Sequence, residues 1–149
     1  MALEAQPKGF HTVTPYLVVD GAARLIDFLE AVFDAEQVER LAAPGERIGH
    51  AEVRIGDSIV MLGDAHGEHK PMQMMLYVYV EDVDATYQRA LTAGASAVQP
   101  PADQFYGDRS GGVRDVFGNL WWIATHIEDV APVELQRRAR ERMAAAGGT

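Results

Sequence analysis

A chain of 149 residues in which 48% of the side chains are hydrophobic can bury one sizeable core, so a single domain is expected. The absence of cysteine excludes disulfides, thiolate metal sites and cysteine nucleophiles. The formal net charge of −9 predicts no nucleic-acid partner, because such a chain repels phosphate backbones. Its one basic cluster, formed by Arg137, Arg138, Arg140 and Arg142, is interpreted as a solvated helix face.

The N-terminal segment has no basic stretch followed by an apolar one, and no apolar run approaches the length that crosses a membrane. The lack of cysteine agrees with a reducing compartment but is weak evidence for one. We therefore predict a cytoplasmic protein that has no membrane partner.

The first half of the chain predicts the element order β-α-β-β-β. Thr12–Val19 is typical of a strand, with Pro15 at a sheet edge or bulge, and Asp20 is expected to cap the helix that follows. That helix is amphipathic, since its apolar residues recur at helical spacing. The remaining elements are a strand over 36–42, a turn at Pro44-Gly45 and a hairpin over 49–62 that reverses at Gly56-Asp57.

The second half repeats this order after a polar connector over 64–72. A strand over 73–80 precedes a helix capped by Asp82, and a strand over 95–99 is expected to stop at Pro100-Pro101. A hairpin over 110–125 reverses at Gly118-Asn119. We predict one domain over 1–130, with a first module at about 11–64 and a second at about 73–127. A C-terminal helix that begins near Pro132 and a flexible tail occupy 131–149.

The spacing supports a duplication. Gly56 and Gly118 are 62 positions apart, and so are Asp20 and Asp82, each of which ends a strand before a helix. A fixed offset of this kind is typical of a repeated supersecondary unit.

Alternation along the strands predicts which side chains share a face. In the strand over 73–80, Met74, Leu76, Val78 and Val80 are expected to meet the helix, so Tyr77 and Tyr79 face the opposite way. The same reasoning places His50 and Glu52 on a polar face and Trp121 in the core, and the offset aligns Glu52 with Arg114. The predicted concave ligand pocket is lined by His50, Glu52, Tyr77, Tyr79, Arg114 and Trp122.

The paired modules, the strand ends at Asp20 and Asp82, and Asp115-Val-Phe-Gly-Asn119 resemble the vicinal oxygen chelate superfamily, which includes glyoxalase I, bleomycin-binding proteins and extradiol dioxygenases. The stretches 11–23, 49–52, 106–111 and 123–129 resemble its PhnB-like branch. The resemblance covers nearly all of 11–129. It implies an α+β fold in which two tandem βαβββ modules form a curved sheet cavity with the helices outside, and a homodimer.

Metal-dependent members of that superfamily take His or Glu ligands from the first and fourth strands of each module. The corresponding positions here are Val13, Val60, Met75 and Trp122, none of which binds a hard metal ion. We therefore expect no metal and no other cofactor. A divalent ion held by displaced ligands, drawn from His11, His50 and Glu52, is the alternative.

Several residues have two interpretations. His50 and Glu52 form an acid/base pair or part of a displaced metal site, or else Glu52 pairs with Arg114 in the cavity floor. Tyr77, Tyr79 and Trp122 form a stacking floor for a flat ligand or fill an unused site. Asp108 and Arg109 form a structural pair or contact a substrate, while His66 and His69 are expected to be solvated.

The function predicted from these observations is binding of a small molecule, of the glyoxalase/bleomycin resistance type, without the metal. A metal-dependent lyase, isomerase or dioxygenase of the same superfamily is the alternative, and the sequence favours a protein that is not an enzyme. A purely structural or partner-binding role is less attractive, because polar groups aimed into a concavity cost stability unless they are paired or used.

Overall fold

The computed structural model of the protein describes residues 2–147. Its first module contains β1 (Tyr16–Val19), α1 (Ala22–Phe33), β2 (Glu36–Ala43), β3 (Arg47–Ile55) and β4 (Ser58–Asp64). Its second module contains β5 (Met75–Tyr79), α2 (Val83–Thr92), β6 (Ser96–Asp103), β7 (Asp108–Arg114) and β8 (Leu120–His126). A last helix, α3, spans Pro132–Gly147.

Each module forms one four-stranded sheet, and the two sheets have the same topology. The strand orders are β1-β4-β3-β2 and β5-β8-β7-β6. The opening strand of each module runs parallel to its last strand, and the other neighbours are antiparallel. The predicted α+β fold of two tandem βαβββ modules and a C-terminal helix is therefore confirmed.

The two module helices begin in different ways. Asp82 caps α2 as predicted, since its side chain accepts a hydrogen bond from the Ala85 N–H. The prediction that Asp20 caps α1 is wrong, because Gly21, at φ 124°, occupies that position and no side chain there caps the helix. The first N–H groups of α1 donate instead to Asp64 at the end of β4. A distant carboxylate thus replaces the local cap.

Asp64 is a buried anchor for three segments. It accepts hydrogen bonds from the N–H groups of Gly21, Ala22 and Ile48 at 2.7–3.0 Å. Burial raises the pKa of this carboxyl, but the three N–H donors outweigh that effect and hold the pKa below its usual value. The start of α1 is therefore fixed to both hairpin strands of its module.

Several boundaries differ from the sequence prediction, three of them by more than two residues. β1 begins at Tyr16, not Thr12. β6 continues through Pro100-Pro101 to Asp103, because it is an edge strand and the prolines lie in a register shift between Gln99 and Ala102. The expected tail is helical up to Gly147, while its last two residues lie outside the described part.

The modules meet through their helices. Among residues 2–147, the principal contact between elements of different modules joins α1 and α2. Trp121 of β8 is fully buried, and its ring centroid lies 6.4 Å from that of Phe28 and 5.5 Å from that of Phe33, both on α1. The Trp121 indole N–H donates to the buried carboxylate of Asp115 at 2.8 Å. The helix-covered sides of both sheets therefore share one core.

The alternation predicted for β5 is confirmed. Leu76 and Val78 pack against the core, whereas Met75, Tyr77 and Tyr79 are exposed. Each sheet thus has a helix-covered face and an opposite face, and the second carries the polar and aromatic side chains. Within residues 2–147, no helix is long and apolar enough to cross a membrane.

Candidate functional site

The open face of the second sheet brings together residues from four segments. Register pairs Asp108 with His126 and Tyr77 with Trp122, so these side chains lie on the same face. The carboxylate of Asp108 accepts from the hydroxyls of Tyr77 and Tyr79 at 2.7 and 2.9 Å. Asp108 itself is only 3% exposed. The face is therefore a layer of phenol rings held over a buried carboxylate.

The hydrogen bonds around Asp108 determine which of these side chains are ionised. Burial raises the pKa of Asp108, but hydrogen bonds from His126, Tyr77 and Tyr79 outweigh it and lower the pKa below its usual value. Burial and bonds to Tyr106 and Asp108 raise the pKa of Tyr77, and the bond to Asp108 raises that of Tyr79. At neutral pH the phenols are protonated donors and the carboxylate is their ionised acceptor.

His126 lies between two carboxylates. Its Nδ1 is 2.8 Å from Asp108 and its Nε2 is 2.7 Å from Asp129. A neutral imidazole has one N–H, and ionised carboxylates only accept, so both bonds require the imidazolium form. The two carboxylates accordingly raise the pKa of His126.

The C-terminal helix holds a loop at the edge of this face. Arg138 of α3 donates to the Phe105 carbonyl at 3.0 Å and to Glu128 at 2.8 and 2.9 Å. The neighbouring Tyr106 hydroxyl lies 3.4 Å from that of Tyr77. Gly107 is required here, because it adopts φ 100° and a Cβ would lie 2.1 Å from the Glu128 carbonyl.

The open face of the first sheet carries a smaller group. Tyr16 hydroxyl lies 3.1 Å from His50 Nδ1, and His50 Nε2 lies 2.9 Å from Glu52. Both contacts are satisfied when the Tyr16 hydroxyl donates to Nδ1 and the Nε2–H donates to Glu52. Burial raises the pKa of Tyr16, which keeps it a donor. Gly63 leaves room for this group, since a Cβ there would lie 3.1 Å from the Tyr16 hydroxyl.

The six predicted pocket residues fall into two groups within one chain. His50 and Glu52 lie on the first sheet, while the other four lie on the second. Across residues 2–147, no hydrogen bond, ion pair or ring contact joins the groups. Trp122 lies against Gly112, where a Cβ would be 2.6 Å from the indole.

Two proposed pairings are wrong. Glu52 does not pair with Arg114, because His50 lies beside Glu52 on the same strand while Arg114 donates to the Gly118 carbonyl at 2.8 Å. Asp108 and Arg109 do not pair either. They are consecutive on β7 and point to opposite faces, so Arg109 binds instead to Asp84 and Asp103.

Sequence reasoning missed the centre of the second face. The sequence predicts Asp108 only as a partner of Arg109 or a substrate contact, and it predicts no role for Tyr16, Tyr106, His126 or Asp129. The alternation of side chains along the strands could have indicated Asp108 and His126. If β7 is extended back to Asp108 and β8 on to His126, both residues lie on the same face as Trp122. The pairing of β5 with β8, which brings the tyrosines to Asp108, is not visible locally.

The donor set does not fit the metal site implied by the resemblance. Val13 and Met75 are exposed apolar side chains, Val60 is buried in the core, and Trp122 lies over Gly112. None of these offers an imidazole or carboxylate. His11 is exposed. In the part of the chain that the structure describes, no three His, Asp or Glu side chains are grouped so that they could share an ion.

A sequence model of the Glyoxalase/Bleomycin resistance protein/Dioxygenase superfamily matches residues 9–123, so the chain belongs to this superfamily. Among its relatives is the Mycobacterium tuberculosis protein Rv0887c, 37% identical over 147 residues that cover 91% of this chain and 84% of that protein. A Mycobacterium bovis protein, Mb0911c, is also 37% identical over 147 residues, with 91% and 94% coverage.

Solved structures share the fold. TioX from Micromonospora sp. ML1 has a TM-score of 0.66 and 32% identity, covering 78% of this chain and 99% of its own. The PhnB protein from Bacillus cereus has a TM-score of 0.64 and covers 77% of this chain and 99% of its own, but at 19% identity it shows the fold alone. Membership of the PhnB-like branch stays a prediction.

The two-carboxylate environment of His126 predicts an NMR titration with its midpoint above the ordinary pKa of 6.5. Since the folded pKa is raised, the ion pairs stabilise the protein fully below 6.5, and this contribution disappears as the pH rises through the folded pKa. Asp129→Asn should lower the midpoint. A midpoint at or below 6.5, or one that Asp129→Asn leaves unchanged, contradicts the assignment.

Proposed function

We propose that the chain binds a small molecule on the open faces of its sheets and that it does so without a metal ion. The observation that carries this proposal is the pair of phenol rings over Asp108. Tyr77 is 42% and Tyr79 is 62% exposed, although their hydroxyls are fixed by a carboxylate that is 3% exposed. Burying aromatic surface stabilises by about 25 cal/mol per Å², and the free protein does not gain this at the exposed rings. Rings that are fixed in an exposed position can gain it by packing against a ligand.

The superfamily name does not choose between functions, because it covers enzymes and resistance proteins alike. The choice rests on the site residues. Rings and hydrogen-bonding groups that are fixed before binding lower the entropy lost when a ligand is held. The four positions implied for a metal supply no ligand, which favours binding over metal-dependent chemistry. We also propose that the protein acts in the cytoplasm, without nucleic acid or membrane.

The two groups of site residues come together if a second copy of the chain supplies one of them. We infer a homodimer in which an open face of one chain lies opposite an open face of the other. Large apolar side chains exposed on these sheets support it: Leu41 is 52%, Met75 is 66% and Val98 is 44% exposed. β2 is exposed along nearly its whole length, as is β6. Such surfaces are typical of interfaces between chains.

Ligand binding is tested by a thermal-shift screen of small aromatic metabolites followed by substitution of the two tryptophans. Trp122→Ala should abolish binding of any ligand found, because Trp122 lies on the open face beside Tyr77. The matched control is Trp121→Ala, which should cost about 3–5 kcal/mol of stability through its buried contacts while the folded fraction still binds. The opposite pattern contradicts the proposed face.

The dimer is tested by light scattering coupled to size exclusion at micromolar concentration. The expected mass is twice the 16.3 kDa of one chain. Leu41→Asp should shift the mass toward that of one chain, because it places a charge on a surface that is exposed in the single chain. A monomeric wild type removes the inference of a shared cavity but leaves binding on one face open to the screen.

The second candidate function is a metal-dependent enzyme of the superfamily with displaced ligands. Its supporting observation is the Tyr16–His50–Glu52 group, in which an imidazole and a carboxylate 2.9 Å apart sit on an open sheet face. The pair could bind an ion or move a proton. Its weakness is the number of donors, since His50 and Glu52 provide two and a metal site needs more.

Elemental analysis separates the candidates. The proposed function predicts no stoichiometric zinc, nickel, iron or manganese after purification and a melting temperature that chelator leaves unchanged. About one divalent ion per chain, retained on dialysis and lost in His50→Ala or Glu52→Ala, would establish the enzyme candidate instead. Phe117→Leu is a suitable control, because Phe117 lies in the β7–β8 turn, beside Gly21 and Arg24.

A further inference from the structure

The hydrogen bonds of the second face leave it with an excess of acceptors. The phenol protons of Tyr77 and Tyr79 both point to Asp108 at 2.7 and 2.9 Å. The outward lone pairs of their oxygens can therefore accept but the groups cannot donate. Both ring nitrogens of His126 are directed at carboxylates in the same way. A ligand that approaches this layer meets oxygen acceptors and aromatic faces.

The charge around the layer is negative. Asp108 is paired with His126, whose other partner, Asp129, is fully exposed. A cavity of about 780 Å³ adjoins Tyr79 and His126 and is lined by three further carboxylates, those of Asp34, Glu81 and Asp82. Arg89 lines the same cavity and donates to the Val32 carbonyl and to Thr86, neither of which neutralises its charge. Arg89 and His126 thus supply two positive charges against the five carboxylates named here, so the acidic groups are in excess.

The aromatic rings add a second attraction for positive charge. The ring centroids of Tyr77 and Tyr79 are 5.3 Å apart and the rings are inclined by 55°, so they form two walls rather than a stack. The Tyr106 ring stands beside them, with its hydroxyl 3.4 Å from that of Tyr77. Cations are attracted to the faces of such rings by the ring quadrupole.

We propose that the ligand bound on this face presents a positively charged amine, ammonium or guanidinium group to the tyrosine walls above Asp108. This inference rests on the proposed function and adds the charge of the ligand to it. Three features favour the same sign: the protons of Tyr77, Tyr79 and His126 are already directed at carboxylates, the ring faces are exposed, and the carboxylates outnumber the cations around the layer. An anionic end held by Arg114 would lie away from this layer, because Arg114 is at the opposite end of β7 from Asp108 and donates to the Gly118 carbonyl there.

The test compares three probes of similar size that differ in charge: benzyltrimethylammonium, benzyl alcohol and phenylacetate. Binding is followed by NMR of the tyrosine ring resonances in the full-length protein. The cation should shift the Tyr77 and Tyr79 resonances and bind at least tenfold more tightly than phenylacetate, with benzyl alcohol between them. Added salt should weaken the binding of benzyltrimethylammonium more than that of benzyl alcohol.

Two substitutions locate the effect. Asp108→Asn removes the buried charge at nearly constant shape and should lower the affinity for the cation to about that for benzyl alcohol. Tyr79→Leu removes one ring wall at a position that is 62% exposed, so it tests the site even if Asp108→Asn fails to fold. Phe117→Leu, in the distant β7–β8 turn, should leave the affinity for all three probes unchanged.

The outcomes separate this inference from the proposed function. Phenylacetate or benzyl alcohol binding as tightly as the cation overturns the charge assignment while small-molecule binding on the face stands. If no probe of any charge moves the tyrosine resonances, both are overturned. Cation-induced shifts confined to other residues would show attraction to the acidic surface at large and contradict the site. Tyrosine shifts that follow protein concentration but no probe would assign the face to a second copy of the chain.

Discussion

Buried carboxylates that must find hydrogen-bond donors connect the parts of this fold. Asp64, Asp108 and Asp115 are 7%, 3% and 5% exposed. An ionised carboxylate without donors in such surroundings costs several kcal/mol, so each of them requires specific partners. Asp64 takes N–H groups from α1 and β3, and Asp115 takes the N–H groups of Phe117 and Asn119 and the Trp121 indole. Structure and site are therefore built from the same kind of interaction.

The three carboxylates receive hydrogen bonds from different kinds of donor. This difference separates Asp64 and Asp115, which stabilise the fold, from Asp108, which belongs to the candidate site. The donors to Asp64 are all backbone groups, and those to Asp115 are backbone groups, an amide and an indole. The donors to Asp108 are two phenols and an imidazole, all of them partly exposed. A ligand can reach the outer side of phenols and imidazole. Of the three carboxylates, only that of Asp108 can therefore influence a bound ligand through its hydrogen-bond donors.

Much of the fold could be predicted from the sequence because its signals are local. The turn residues at Gly56 and Gly118 and the alternation of β5 are each contained in a short stretch, and the recurrence of such local signals 62 positions apart indicated the duplication. Errors arose where a tertiary partner replaced a local one. Asp20 was an adequate cap by sequence, but Asp64, over 40 residues away, supplied the acceptor. Pro100-Pro101 stops a central strand but not the edge strand that β6 proves to be.

The candidate site was only partly predictable for the same reason. The alternation of side chains along the strands predicted that Tyr77, Tyr79 and Trp122 lie on an open face, and the structure agrees with that placement. It could not show which side chains bond to one another, because Tyr77 and Asp108 are 31 positions apart and meet only through the β5–β8–β7 pairing. The pairing of Glu52 with Arg114 failed on a related point. The two positions are not equivalent in their sheets, since Glu52 pairs with Met61 within its hairpin and Arg114 pairs with Leu120 at the end of its hairpin.

The duplicated modules have diverged in the chemistry of their open faces. On the first sheet the central polar residues are His50 and Glu52 in the middle of β3, whereas on the second the central polar residue is Asp108 at the start of β7. On the first face the His50 ring lies between the Tyr16 hydroxyl and the Glu52 carboxylate. On the second an imidazolium is held between two carboxylates. A guest held between two such faces would meet one carboxylate on the first sheet and an imidazolium between two carboxylates on the second, so the asymmetry created by divergence favours one orientation of the guest.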